Sequence, residues 1–148
     1  MDEDLEAEKD TLYTPGSEAL KAGFEYQLFD LTNATRVNHD LPVLKWDENV
    51  RETARKHSSD MAENQFFSHT NLRGQSPFDR MEEDKVAFTS AGENLAYGQF
   101  SSVFAHQGLM NSLGHRENIL HNSFTKLGIG VDFNDNNQPF YTENFLRN

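Results

Sequence analysis

Three polar side chains in this sequence have the types and settings that acid–base or metal chemistry requires: His69, Glu93 and His115. Both histidines lie in predicted loops or element boundaries among small polar residues, where side chains can converge on a cleft. Two imidazoles and a carboxylate could polarise a water molecule directly, or hold a Zn²⁺ ion with one position open to water. Glu93 stands between Gly92 and Asn94 in an otherwise uncharged stretch, so it is either a capping residue or part of a site.

The spacing of these three residues does not by itself build a metal centre. They are 24 and 22 residues apart, so no pair has the spacing of two ligands on one helix. The convergence to ~2 Å that zinc needs depends on the tertiary fold. The alternative is that His69 and His115 only hydrogen-bond Glu93 or ordered water. The sequence therefore predicts one shared cleft for the three side chains and leaves Zn²⁺ binding open.

Composition excludes several classes of function. The 148 residues carry a net charge of -11, which argues against unaided binding to nucleic acid or to an anionic membrane surface. The absence of cysteine excludes disulfide bonds, thiolate metal sites and a cysteine nucleophile. No transmembrane segment is predicted, because the longest stretch without charged side chains, residues 94–115, contains His, Gln, Asn and Ser. Twelve Phe, four Tyr and one Trp nevertheless supply enough aromatic area for a folded core.

Apolar residues that recur every three to four positions predict two long helices in the first half of the chain. The first helix begins after a cap at Ser17 and ends before Pro42. The second begins after Asp47, and we expect Trp46 to be buried as an anchor between the two helices. The apolar face of the second helix carries Val50, Ala54, His57 and Met61.

The remainder predicts shorter helices and then strands. Ser76 caps a short helix that begins with a proline, and Ser102 caps a later one that breaks at residues 112–114. Residues 86–98 contain two glycines and no helical period, so they predict a strand. Residues 127–133 and 139–146 predict a hairpin around a polar turn. Helices followed by a terminal hairpin predict an α+β fold.

The N-terminus differs from the rest of the chain. Residues 1–10 contain six acidic residues and one lysine, so residues 1–16 are predicted to be an acidic lead-in, either flexible or the end of an upstream region. Residues 17–148 are predicted to form one domain. No signal peptide is recognisable, which leaves a cytosolic protein, or a chain whose signal and anchor have been removed, as alternatives.

Four motifs occur in an order typical of one family. They are Phe66-Phe-Ser-His-Thr70, Ala91-Gly-Glu-Asn-Leu-Ala-Tyr-Gly98, Asn111-Ser-Leu-Gly-His-Arg-Glu-Asn-Ile-Leu120 and Leu127-Gly-Ile-Gly-Val131. Together they resemble the CAP superfamily (cysteine-rich secretory proteins, antigen 5 and pathogenesis-related proteins), in particular its bacterial, cysteine-free SCP-like branch. The resemblance covers roughly residues 23–145. It implies an α-β-α sandwich with a short antiparallel sheet between helical layers, and a secreted or cell-surface location.

The resemblance also implies roles for the three polar residues. His69 and His115 match the two histidines of the family's cleft, and Glu93 matches one of its two glutamates. The second glutamate has no counterpart here, because residues 109–112 are Leu-Met-Asn-Ser. The four-residue site of many members is thus reduced to three residues.

Three functions remain as alternatives at this point. The first is an extracellular module whose cleft or faces bind a ligand or a protein partner without turnover. The second is a hydrolase, a peptidase or an esterase, that uses His69, Glu93 and His115 with water or a bound metal. The third is a structural domain whose polar cleft is a satisfied hydrogen-bond network. The missing acid and the lack of a serine nucleophile motif favour the first alternative, and the sequence does not predict the oligomeric state.

Overall fold

The computed structural model describes residues 17–148, so the predicted acidic lead-in, residues 1–16, lies outside the described residues. Five helices and four strands occur in the described part of the chain. In order they are α1 (Glu18–Asn38), β1 (Lys45–Trp46), α2 (Glu48–Asn64), α3 (Pro77–Glu83), β2 (Ser90–Tyr97), α4 (Ser102–Met110), α5 (Leu113–Ile119), β3 (Lys126–Phe133) and β4 (Pro139–Arg147). The predicted α+β class is confirmed.

The four strands form one sheet in the order β1-β3-β4-β2, which leaves β2 at an edge. The predicted hairpin of β3 and β4 is antiparallel, and β2 pairs antiparallel with β4. β1 was not predicted, and it pairs in parallel with β3, so the sheet is mixed. A strand of two residues carries no period that a sequence could reveal. α2 covers one face of the sheet, and α1, α4 and α5 cover the other, which makes the predicted α-β-α sandwich.

Two glycines of β3 allow α2 to lie directly against the sheet. A Cβ atom at Gly128 would overlap the backbone of Arg51, and one at Gly130 would overlap the backbone of Arg55. Ser58 of α2 also donates a hydrogen bond to the carbonyl oxygen of Gly130 at 2.8 Å. Any side chain at these two strand positions would push the helix away from the core.

Side-chain caps explain why most helices begin where the sequence predicts. Ser17 Oγ accepts from the backbone N–H of Leu20, and Asp47 accepts from that of Val50. α4 is an exception, because its cap is Ser101 and not the predicted Ser102. Ser102 is fully buried and donates to the carbonyl oxygen of Phe24 at 2.7 Å. Two adjacent serines are equivalent as caps in a sequence, and packing against α1 decides between them.

Trp46 joins α1 to the beginning of α2. Its ring centroid lies 4.8 Å from that of Tyr26 and 5.2 Å from that of Phe29. Its Nε1 donates to Glu48 at 2.9 Å. The ring is partly buried and packs on the outside of the main core, so it bridges the two helices as predicted without being sealed between them.

Candidate functional site

His69 and Glu93 are in direct contact, with His69 Nδ1 lying 2.9 Å from Glu93 Oε1. An ionised carboxylate can only accept hydrogen bonds, so Nδ1 carries the hydrogen and a neutral ring keeps the lone pair of Nε2 free. The side chain of His69 is 54% exposed, whereas that of Glu93 is 1% exposed. A buried carboxylate therefore orients an imidazole that faces the solvent.

Arg80 and Asn144 complete the surroundings of the Glu93 carboxylate. Arg80 donates to Oε2 at 2.8 Å and to Oε1 at 3.1 Å, and Asn144 donates to Oε2 at 2.8 Å. Burial by itself would raise the pKa of Glu93. The hydrogen bonds from His69 and Arg80, together with the charge of Arg80, outweigh burial and hold the pKa below its ordinary value. Glu93 is therefore an anion at neutral pH, and both of its oxygens are occupied by donors.

Arg80 is a site residue that sequence reasoning missed. Besides Glu93 it binds the backbone carbonyl oxygen of His69 at 2.5 Å, so it holds both the histidine's loop and the histidine's partner. Its position is set by α3, where Ser76 and Asp79 form a reciprocal capping box. The capping pattern was readable in the sequence. The burial of the guanidinium was not, because an arginine on a short helix is usually solvated.

The loop between α2 and α3, which carries His69, is irregular as predicted. His57 of α2 donates from Nε2 to the carbonyl oxygen of Ser68 at 2.8 Å, and Asn71 Oδ1 accepts from the N–H of Gln75 at 2.8 Å. Burial, and then the charge of Arg80, lower the pKa of His57, so this ring is neutral. His57, which the sequence places on the apolar face of this helix, is thus a packed, hydrogen-bonded histidine.

His115 lies in the first turn of α5, on the other side of β2. Its carbonyl oxygen accepts from Asn94 at 3.0 Å, and Asn118 of the same helix donates to the carbonyl oxygen of Glu93 at 3.2 Å. Burial and then the nearby His69 lower the pKa of the His115 ring. Within residues 17–148, the buried Nδ1 of His115 has no hydrogen-bond partner. The structure thus joins His69 to Glu93 directly, whereas His115 interacts with His69 only through electrostatics.

The three residues do not fit a zinc site that uses all of them. In the described part of the chain, no group of three or more His, Asp or Glu side chains is placed to hold a metal ion. Glu93 already accepts four hydrogen bonds from His69, Arg80 and Asn144, which occupy the lone pairs that a metal would need. A zinc ion bound by all three side chains would have to displace these hydrogen bonds, and Zn²⁺ binding itself stays an open prediction.

A second carboxyl group, Glu143, lies on the opposite face of the sheet and was not assigned a role from the sequence. It is fully buried, accepts from Asn94 at 3.1 Å, and burial raises its pKa to about 7. The Oε2 atom of Glu143 lies 3.3 Å from the hydroxyl oxygen of Thr32. The same hydroxyl oxygen lies only 2.9 Å from the carbonyl oxygen of Leu28. Because the hydroxyl has one hydrogen, a protonated Glu143 can donate to Thr32 while Thr32 donates to Leu28.

Comparison with known proteins identifies the family. The model of the cysteine-rich secretory protein family, called CAP, matches residues 29–145. A solved structure of an extracellular protein containing an SCP domain from Bacillus anthracis is 43% identical, with a TM-score of 0.83. The aligned region covers 88% of this chain and 42% of the Bacillus anthracis chain.

Two Bacillus subtilis proteins are also similar in sequence. The membrane protein YlbC is 45% identical over 123 residues, which are 83% of this chain and 34% of YlbC. The protein YkwD is 38% identical over 124 residues, which are 84% of this chain and 48% of YkwD. The chain thus spans between a third and a half of the length of these relatives. None of the helices in residues 17–148 has the length and hydrophobicity of a membrane span.

Proposed function

We propose, from the premise that the chain belongs to the cysteine-rich secretory protein (CAP) family, that it is an extracellular bacterial binding module. Its cleft at His69, Glu93 and His115 binds a ligand or a protein partner without turnover. The observation that carries this proposal is the exposed His69 ring held by a buried, fully hydrogen-bonded Glu93. The binding unit in this proposal is the predicted domain of residues 17–148.

Preorganisation is the physical reason why this arrangement suits binding. Glu93 and Arg80 fix the orientation of the His69 ring and the path of its loop, so little side-chain entropy is lost when a ligand contacts the ring. Because the hydrogen bond to Glu93 uses Nδ1 of His69, Nε2 is the ring nitrogen that faces a ligand. The lowered pKa of His115 keeps a neutral ring on the other side of β2. The net charge of -11 disfavours polyanionic ligands.

The proposed location rests on relatives. The similar Bacillus anthracis protein is described as extracellular, and YlbC is described as a membrane protein. Both descriptions are compatible with a domain displayed outside the cell. This chain covers less than half of each of these proteins. Any partner or activity of a longer protein that contains this domain is therefore also a proposal.

Binding through the cleft can be tested with the purified, immobilised protein and a cell-envelope extract of Bacillus subtilis. Molecules that depend on the cleft should be retained by the wild type and lost from His69→Ala and His115→Ala. His39→Ala is the matched control, because His39 is an exposed histidine at the end of α1. Equal retention by all four proteins would contradict the proposal.

A second candidate, hydrolysis by an activated water molecule, is favoured by one observation. The hydrogen bond from His69 Nδ1 to Glu93 leaves Nε2 able to accept a proton, which is how a carboxylate orients a general base. Turnover of fluorogenic peptides or esters that is lost in His69→Ala and kept in His39→Ala would support hydrolysis. Absence of such turnover over a broad substrate panel would leave the binding module.

A further inference from the structure

Two segments without charged side chains meet beside the cleft. Residues 64–72 and 94–115 contain no Asp, Glu, Lys or Arg, although the whole chain carries a net charge of -11. The two segments touch at the rings of Phe67 and Tyr97, whose centroids lie 5.7 Å apart. These two residues are 50% and 45% exposed, so a ligand can reach both rings. Their contact, called here the Phe67–Tyr97 pair, is an accessible aromatic surface between uncharged segments of an acidic protein.

The core of the domain holds both rings in place. The ring centroid of Tyr97 lies 4.7 Å from that of Phe140, which is buried and supports Tyr97 from below. The loop that carries Phe67 is fixed at the next residue, because the carbonyl oxygen of Ser68 accepts from the buried His57 at 2.8 Å. The two rings are therefore presented in a fixed arrangement, and little conformational entropy is lost when a molecule packs on them.

Polar groups without a formal anion or lysine-type cation follow Phe67 in the same loop. Ser68, His69 and Thr70 are all exposed. The Ser68 hydroxyl oxygen accepts from the backbone N–H of Thr70 at 3.1 Å, so the hydrogen of this hydroxyl remains available to donate to a ligand. His69 uses Nδ1 for Glu93, which leaves Nε2 to face the solvent. Hydroxyl groups and an imidazole nitrogen thus adjoin the aromatic surface.

We infer that the ligand of this cleft is an uncharged glycan, with one sugar ring packed on the Phe67–Tyr97 pair and its hydroxyl groups bonded to Ser68 and His69. A sugar ring has a face of C–H groups, which packs on aromatic rings, and a rim of hydroxyl groups that donate and accept. A hydrocarbon chain would leave the hydroxyl and imidazole groups without partners, and the net charge of -11 would repel a polyanion. The inference rests on the proposed function and adds the chemical class of the ligand.

A second aromatic pair of similar geometry supplies a matched control. The ring centroids of Phe78 and Phe88 lie 6.0 Å apart, and Phe78 is 44% exposed. The segment that follows Phe78, residues 79–85, contains six charged side chains, whereas the segments of the Phe67–Tyr97 pair contain none. Phe78→Ala therefore removes a comparable exposed ring from a charged surface.

The experiment passes a cell-envelope extract of Bacillus subtilis over the immobilised full chain and measures the neutral sugar that is retained. Retention should disappear when the extract is first oxidised with periodate, which cleaves the bond between two carbons that carry neighbouring hydroxyl groups. Retention should survive digestion of the extract with a protease. Loss of retention after the protease but not after periodate would identify a polypeptide ligand and overturn the inference.

Substitution of the rings locates the binding surface. Phe67→Ala and Tyr97→Ala should each reduce the retained neutral sugar at least about tenfold, because each removes accessible aromatic area. Phe78→Ala should retain as much sugar as the wild type. Raising the NaCl concentration from about 0.05 M to about 0.5 M should leave the retained amount unchanged, since screening does not weaken contacts with an uncharged ligand. Equal losses in all three variants, or a steep fall with salt, would overturn the inference.

The variant His69→Ala separates failure of this inference from failure of the proposed function. If His69→Ala loses retained material that resists periodate, the cleft binds a ligand that is not a glycan, and only the sugar class fails. If the wild type retains nothing that His69→Ala loses, the proposed function fails as well.

Discussion

Replacing Glu143 with glutamine should stabilise the protein at alkaline pH. The carboxyl group is fully buried between Thr32 of α1 and Asn94 of β2. A glutamine side chain reproduces the protonated acid, because its amide nitrogen can donate to Thr32 while its oxygen accepts from Asn94. The variant therefore keeps the hydrogen bonds and cannot acquire the charge.

The magnitude follows from linkage between protonation and folding. Burial raises the pKa of Glu143 from 4.5 to about 7, so the folded protein binds more protons than the unfolded chain between these values. The contribution of Glu143 to stability is therefore largest below pH 4.5, falls as the pH rises toward 7, and levels off above it. At 1.36 kcal/mol per pKa unit, the ionisation of this one group removes about 3 kcal/mol of the free energy of unfolding.

Urea unfolding at pH 5 and pH 8.5, followed through the single tryptophan, Trp46, measures this effect. The free energy of unfolding of Glu143→Gln minus that of the wild type should be about 2–3 kcal/mol larger at pH 8.5 than at pH 5, which means that the variant gains stability relative to the wild type. Glu52→Gln is the control, because Glu52 is an exposed glutamate on α2 and should leave the wild-type pH dependence intact. A loss of stability between pH 5 and pH 8.5 that is as large in Glu143→Gln as in the wild type would refute the argument.

Four further predictions concern the site and the packing of the sheet. Arg80→Ala should lower the free energy of unfolding by about 3–5 kcal/mol, because it leaves the buried Glu93 carboxylate without its cation; a loss below about 1 kcal/mol in chemical denaturation would contradict this. Gly130→Ala should lower the free energy of unfolding by about 1–3 kcal/mol or more, because the added methyl group meets the backbone of α2. Gly23→Ala is the matched control: its methyl group enters open space on α1, so the free energy of unfolding should rise by up to about 1 kcal/mol. In NMR titrations the pKa of His115 should lie below its ordinary value and rise in His69→Ala, since His69 is one of the two causes that lower it; no change on substitution would mean that the rings do not interact. Calorimetric titration with Zn²⁺ should reveal no stoichiometric site that Glu93→Gln abolishes, because Arg80, His69 and Asn144 occupy that carboxylate.

The sequence by itself predicted the elements whose signals are local. Ser17 and Asp47 are side-chain caps, and the apolar period of α1 and α2 repeats over several turns, so both helices were recognisable. The hairpin of β3 and β4 was recognisable from two β-rich runs around a polar turn. His69 and Glu93 were recognisable as candidates because their motifs resemble a family, and the structure brings the two into contact.

Tertiary structure alone decided the features that depend on residues distant in the chain. The two-residue strand β1 exists because β3 offers it a parallel partner, and Ser102 is buried because α1 packs over it. Arg80 and Glu143 look like ordinary charged residues in the sequence. Only the surrounding layers remove these two side chains from water. As a result Arg80 becomes the partner of Glu93, and the pKa of Glu143 rises to about 7. Burial and partners set the chemistry of a charged group, and both are properties of the assembled fold.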